Sequence, residues 1–292
     1  MTRKSVLPQT SFEAQSVTNG NVQAEETLSK GIALCERTRL TDLKYAMHHL
    51  LAKLAFKRRP KAALKAVDKI IGEVEALQLL HWSYAFRLLR ICEAMQFPGH
   101  SETAATLKHL TAMSTAAEER RHVPMQITVA TIEAMVYLRS GLPDAVELAQ
   151  RAMASARTHQ LGAEIESLPQ LRALLDCLDL LCSLVGSDPK SALEKMKQMH
   201  ASMDPATRQS GWSMDGTLSV GMLPVTNTEL ELDTLGIMKT TTAGVATLNL
   251  RWMTQNGIYV IGYLLSGITL LHKDDKGRAE NFLREVRCCS PQ

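Results

Sequence analysis

One phrase recurs along the chain and narrows what it can fold into. The sequence reads KRRPKAALKAV over residues 57–67, SGLPDAVELAQ over 140–150, GSDPKSALEKM over 186–196 and HKDDKGRAENFL over 272–283. Each time an apolar helical stretch stops at a polar turn, and a small residue, Ala63, Ala145, Ala192 or Ala279, falls in the first turns of the next helix. An alanine there lets two antiparallel helices cross closely, because only a methyl group separates their backbones. Pairs of antiparallel helices that stack side by side bury faces that no single pair could cover.

That pattern is how tetratricopeptide-like repeats are built. The expected fold is all-α, a tetratricopeptide-like helical-repeat superhelix (an α-solenoid) with one irregular insertion. Composition agrees: 45% of the 292 residues are hydrophobic but only 4% aromatic, so packing rests on aliphatic helices rather than on β-branched and aromatic strands. The spacing of about 40 residues per pair exceeds the standard unit of about 34, which marks elongated variants. A formal charge of +3 is too balanced for a general nucleic-acid binder, so any DNA contact needs a local patch.

The organisation follows the periodicity. Residues 1–20 are rich in Thr, Ser, Gln and Asn without a period and read as a disordered N-terminal segment. Residues 21–203 carry the helical repeats. Helices are expected over about 22–37, 41–57 with Thr41 as the cap, 60–78, 80–95, 102–121, 124–139, 143–160, 167–185 and 189–203. In the 60–78 helix, Ala63, Val67, Ile70, Ile71, Val74 and Leu77 form one stripe, with Lys65, Lys69 and Glu73 opposite. The 80–95 helix differs, because Trp82, Ala85, Phe86 and Leu89 line one face while Tyr84, Leu88, Ile91 and Met95 line another. A helix apolar on two sides is covered on two sides, as an inner repeat helix would be. Residues 204–247 break the period with clustered Gly, Pro, Thr, Ser and Asn and read as an irregular insertion. A final helical pair is expected over 248–289, with helices over 248–271 and 276–287.

No catalytic constellation emerges. Cys35, Cys92, Cys177, Cys182, Cys288 and Cys289 fit no zinc spacing and read as buried thiols in a reducing compartment. His48 and His49 are adjacent, so a helix turns them about 100° apart and they cannot share a metal; a solvated or groove position is expected. There is no Walker loop, dinucleotide fingerprint or nucleophile elbow. The stretch IYVIGYLLSGITLL at 258–271 falls about four residues short of a membrane span and reads as a core helix. No signal peptide is visible in residues 1–20. The chain is expected not to be an enzyme and to use no cofactor or metal.

The candidate site residues are therefore partner-binding ones. Lys57, Arg58, Arg59 and Lys61 cluster at one turn, as do Arg120, Arg121 and His122; each group could meet acidic partners, or could simply be a solvated turn with cations near a helix C-terminus. Tyr84 and Arg87 lie on the expected inner helix and are of types enriched at binding hot spots, whereas Trp82 reads as core.

The run LTDLKYAMHHLLAKLAFKRRPKAALKAVDKII, then LLHWSYAFRLLR, then the segment from Trp252 through YLLSGITLLHK resembles the fungal branch of the cohesin-loading-factor family. The most telling phrases are PKAALKAVDK at 60–69, HWSYAFRLLR at 81–90 and LSGITLLHK at 265–273. The similarity runs from about Leu28 to Val286 and is weak across 203–247. It implies the tetratricopeptide-like smaller subunit of the cohesin loader, a non-enzymatic scaffold in the nucleus. Its partner would be the extended N-terminal segment of a large HEAT-repeat subunit, with cohesin and chromatin engaged indirectly and no membrane or small-molecule substrate. Members of that family are longer, and the 22–37 helix reads as the second half of a repeat, so the resemblance also implies a partial chain. Two other readings compete: a generic tetratricopeptide adaptor that binds a peptide of another regulatory protein, and an α-helical hydrolase or transferase.

Overall fold

The computed structural model describes residues 9–97, 100–159, 162, 165, 168–208, 212, 215–224, 234–241, 244–271 and 275–289. Among them are eleven helices and one three-stranded sheet, so the chain has the all-α helical-repeat fold that the repeated phrase predicts. It divides into two compact units, the first comprising Met1–Glu93 with Asn227–Ile237 and the second Ala94–Thr226 with Met238–Gln292.

The first unit holds α1 (Gln9–Thr38), α2 (Thr41–Arg58), α3 (Pro60–Ala76) and α4 (Leu80–Ala94), the last ending at the unit's boundary. The backbone of α1 is helical from Gln9, where the sequence reading has no structure before residue 21; residues 1–8 lie outside the described residues. Helix propagation costs little once a nucleus exists, and 22–38 supplies one. Ile32 and Cys35 are buried, and α1 packs on α2 as α2 does on α3. Pro60 starts α3, where its missing N–H has no partner to lose. Thr41 does not cap α2: Leu40 holds that position and no side chain caps the helix.

The stripe on α3 is the buried face, with Ala63, Leu64, Val67, Ile71 and Val74 inside, although Leu77, just past the helix end, is exposed. Tyr45, Trp82 and Phe86 form an aromatic cluster with ring centroids 5.8–6.2 Å apart. The indole N–H of Trp82 donates to Asp42 at 2.8 Å. His49 belongs to this cluster rather than to a solvated or groove position. It is buried, with its ring edge-on to Phe86 at 5.7 Å. Lys44 and Tyr45 both reach Glu73 at 2.8 Å, and Lys44 also meets Glu36 at 3.0 Å, so one lysine ties three helices.

The second unit holds α5 (His100–Glu119), α6 (Val123–Ser140), α7 (Ala145–Arg157), α8 (Pro169–Val185), α9 (Pro189–Arg208), β1 (Thr217–Pro224), β2 (Met238–Thr240), β3 (Val245–Arg251), α10 (Gln255–Leu271) and α11 (Lys276–Cys289). The helices pair as α6 with α7, α8 with α9 and α10 with α11. Gly141 ends α6 at φ 69°, the left-handed conformation that glycine adopts without strain. The repeat alanines do what their size predicts: Ala145, Ala192 and Ala279 are buried, as is Ala63 in the first unit. On α10, a Cβ at Gly267 would stand 2.9 Å from two carbons of Leu283 on α11, and one at Gly262 would stand 3.1 Å from the Met203 sulfur on α9. The Leu283 approach needs bare backbone, whereas at Gly262 the flexible end of Met203 would have to give by a few tenths of an ångström. Across α7, α8 and α9, Asp179 takes Arg157 and Lys195 at 2.7 Å each, while Asp176 accepts from Ser202.

The segment read as an irregular insertion contains β1, β2 and the start of β3, which form a sheet in the order β1-β3-β2, antiparallel throughout. Leu218, Val220 and Met222 are buried while Ser219 is exposed, a period of two that fits a half-buried strand. β1 lies on α6, and the buried Gln170 amide on α8 donates to the Thr217 carbonyl at 3.1 Å. Residues 248–251, expected to open the last helical pair, belong to β3, so α10 starts later, at Gln255, and α9 runs past 203 to Arg208.

Candidate partner-binding surface

A cluster of basic side chains stands at the α2–α3 turn, and the local sequence explains its geometry. Arg59 serves both helices: its N–H donates to Ala55 at 2.8 Å, and its carbonyl accepts from Ala63 at 2.9 Å. Its φ of −139° and ψ of 70° fit a residue held away from the helical region by the following proline. Lys57 and Arg58 end α2, where cations are favoured by the helix dipole. Arg59 and Lys61 flank the start of α3, whose first turn carries no acid, and there the dipole has the same sign as the side chains. The turn therefore gathers four cations and the positive end of a helix.

Only Arg58 of these has an acidic partner among the described residues, Glu25 of α1 at 3.0 Å. Lys57, Arg58 and Arg59 are exposed. Beside them opens a cleft of about 290 Å³ whose walls include Glu25, Arg58 and Arg59 and whose lining among the described residues is otherwise alanine, Ala55, Ala62, Ala63 and Ala66. Small side chains let a backbone come close, and the guanidinium groups offer planar, bidentate donors to carboxylates. The repeat alanine Ala63 thus serves both the helix crossing and the cleft.

Tyr84 and Arg87 are placed elsewhere, on α4. Tyr84 is 1% exposed, so its ring packs rather than presenting itself. Arg87 donates through Nε to Glu75 at 3.0 Å and again through Nη2 to the same oxygen, and Ser83 adds a third bond to it at 3.1 Å. Arg87 is therefore a clamp between α4 and the end of α3. Arg120 lies at the end of α5 with its own neighbour Glu119 at 3.2 Å, while the backbone of Arg121 is left-handed at φ 56° and His122 is buried.

Cys35, Cys177 and Cys182 are free and buried, and Cys92 is free and exposed. Burial pushes the Cys177 thiol up to about 12 and the Cys182 thiol up to about 11, so both are protonated near neutral pH and are poor nucleophiles. Among the described residues no three His, Cys, Asp or Glu side chains gather as a metal would need. No described helix is long and apolar enough to cross a membrane; α10, the helix at 255–271, is a core helix whose Ile258, Leu265 and Leu270 are buried. The alanine-lined cleft was not legible in the sequence, because Glu25 reaches it from another helix.

The fold and this surface define an all-α helical-repeat protein with a cationic cleft. The chain belongs to the cohesin loading factor family, whose model matches residues 16–287 of the 292. That span contains all three phrases on which the resemblance rests. No curated protein and no solved structure matches the chain significantly. Membership gives the chain a role in cohesin loading, with the cohesin-loading machinery as its setting and chromatin as its place of action.

Proposed function

We propose that the chain is a non-catalytic scaffold that binds an extended segment of the large HEAT-repeat subunit of the cohesin loader, in the nucleus, and that the pair promotes cohesin loading and sister chromatid cohesion. The observation that carries this reading is family membership across nearly the whole chain, in a helical-repeat fold of the kind that binds chain segments along its surface. A segment without structure of its own gains a large interface on such a surface while losing entropy, which suits a partner that must be held yet remain exchangeable. Within the first unit, Lys57, Arg58 and Arg59 would receive acidic residues of that segment, and the alanine-lined cleft would admit its backbone. Arg87 and Tyr84 would support the surface by fixing α4. No cofactor and no small-molecule substrate enter this account.

Depletion of the protein from cells that encode it tests the reading. Chromatin-bound cohesin is expected to fall and to be restored by the wild-type chain. Restoration by a chain carrying Lys57→Glu, Arg58→Glu and Arg59→Glu is expected to be weaker at equal abundance. Unchanged chromatin-bound cohesin after depletion would overturn the reading.

A further inference from the structure

Helices α9 and α11 both pack on α10, and between them, within the second unit, runs a groove of about 660 Å³. Its floor is apolar: Met196 and Leu270 are buried, and Leu193 and Phe282 are half-buried. The ring of His200 meets that of Phe282 at 5.3 Å, and its Nε2 is 2.8 Å from the Ser266 hydroxyl on α10, which fixes one wall.

The two lips are cationic. Lys197 on α9 and Arg278 on α11 line the groove and are exposed. Among the described residues Lys197 has no acidic partner, and Arg278 comes no closer than 3.9 Å to Asp275. Among the described residues Asp275 is the one acid in the lining, and it is already engaged at the start of α11, where its carboxylate accepts from the Arg278 backbone N–H at 3.3 Å. An apolar floor between Lys197, which has no acidic partner among the described residues, and Arg278, whose ion pair with Asp275 is long at 3.9 Å, is complementary to an apolar stripe flanked by acids. A thioether on the floor adapts to the shape of what it meets.

We propose that this groove is a second docking site, independent of the basic turn, and that it takes an acidic amphipathic segment of a partner protein. Leucine or phenylalanine anchors of that segment lie on Met196 and Leu270, and its carboxylates pair with Lys197 and Arg278. The segment runs between α9 and α11 with its apolar stripe on α10.

The test uses the full chain and a fluorescein-labelled peptide of about 16 residues, with Leu and Phe at helical spacing and Glu on both flanks. A control peptide keeps the apolar residues and replaces every Glu with Lys. Anisotropy in near-physiological salt reads affinity, and a ¹³C-methyl methionine spectrum reads the place. The acidic peptide is expected to bind and to move the Met196 methyl signal, and the control is expected not to. Lys197→Glu with Arg278→Glu is expected to weaken binding by about tenfold or more, and the milder Lys197→Ala with Arg278→Ala by a smaller factor. These positions are exposed, and circular dichroism checks that each variant is folded. The proposal is overturned by equal binding to the charge-reversed chain, by equal binding of the control peptide, or by a silent Met196 at saturation. A Met196 signal that moves with protein concentration alone would assign the groove to a second copy and overturn it equally.

Discussion

His49 makes the stability of the first unit depend on acid in a way that can be worked out in advance. The imidazole is 6% exposed, lies edge-on to Phe86 and leaves its buried Nδ1 without a hydrogen-bond partner. Burial, helped by the charge of Lys53, holds its pKa down to about 3 from an ordinary 6.5. Well above pH 6.5 the residue is neutral whether the chain is folded or not, and it contributes no pH dependence. Below that, the unfolded chain binds a proton that the folded chain refuses, so stability falls with pH until the folded residue titrates near 3. At about 1.36 kcal/mol per pH unit, the loss reaches about 2 kcal/mol at pH 5 and roughly 5 kcal/mol across the full window. Urea unfolding at pH 7 and pH 5, followed by circular dichroism and tryptophan fluorescence, measures it against His49→Leu. Asp42 and Glu73, whose carboxyls are held low by His81 and Lys44 respectively, also lose stabilisation as pH falls through their folded values. They do so in both proteins and cancel in the difference. The gap between the wild type and His49→Leu is expected to shift by about 2 kcal/mol towards the variant on going from pH 7 to pH 5. A gap that does not change with pH would refute a buried, neutral His49.

Gly267→Val is expected to cost about 1–3 kcal/mol by overpacking the α10–α11 crossing, where even a Cβ meets Leu283 at 2.9 Å; calorimetry should show a lower Tm. Asp179→Asn weakens two charge-assisted bonds, to Arg157 and Lys195. Allowing for their partial exposure, it should cost about 1–2 kcal/mol, and a double-mutant cycle with Arg157→Gln should show coupling between the two sites. Arg58→Glu with Arg59→Glu should leave the circular dichroism spectrum unchanged and lower affinity for an acidic extended segment by about tenfold, with a flatter salt dependence by titration calorimetry.

Helix positions were the most legible part of the chain because three signals coincided: the apolar period, prolines at helix starts and alanines at crossings. Pro60, Pro169 and Pro189 each open a helix, and the four repeat alanines are all buried. The sheet was missed because Gly221 and the surrounding Gly, Pro and Thr residues broke the helical period, and β2 is only three residues long. The alternation of Leu218, Val220 and Met222 was there to be read. Charge at the α2–α3 turn was also plain, but its cleft depends on Glu25, about thirty residues earlier. Tyr84 shows why residue type alone misleads: the two apolar faces of α4 already imply burial on both sides, and burial claims a tyrosine there before any partner can.

The central claim is tested most directly by mixing this chain with the N-terminal segment of the large cohesin-loader subunit from the same organism and weighing the product by size-exclusion chromatography with light scattering in moderate salt. A stable one-to-one complex is predicted, weakened by Arg58→Glu with Arg59→Glu. A folded chain that elutes alone in the presence of excess segment would contradict the account.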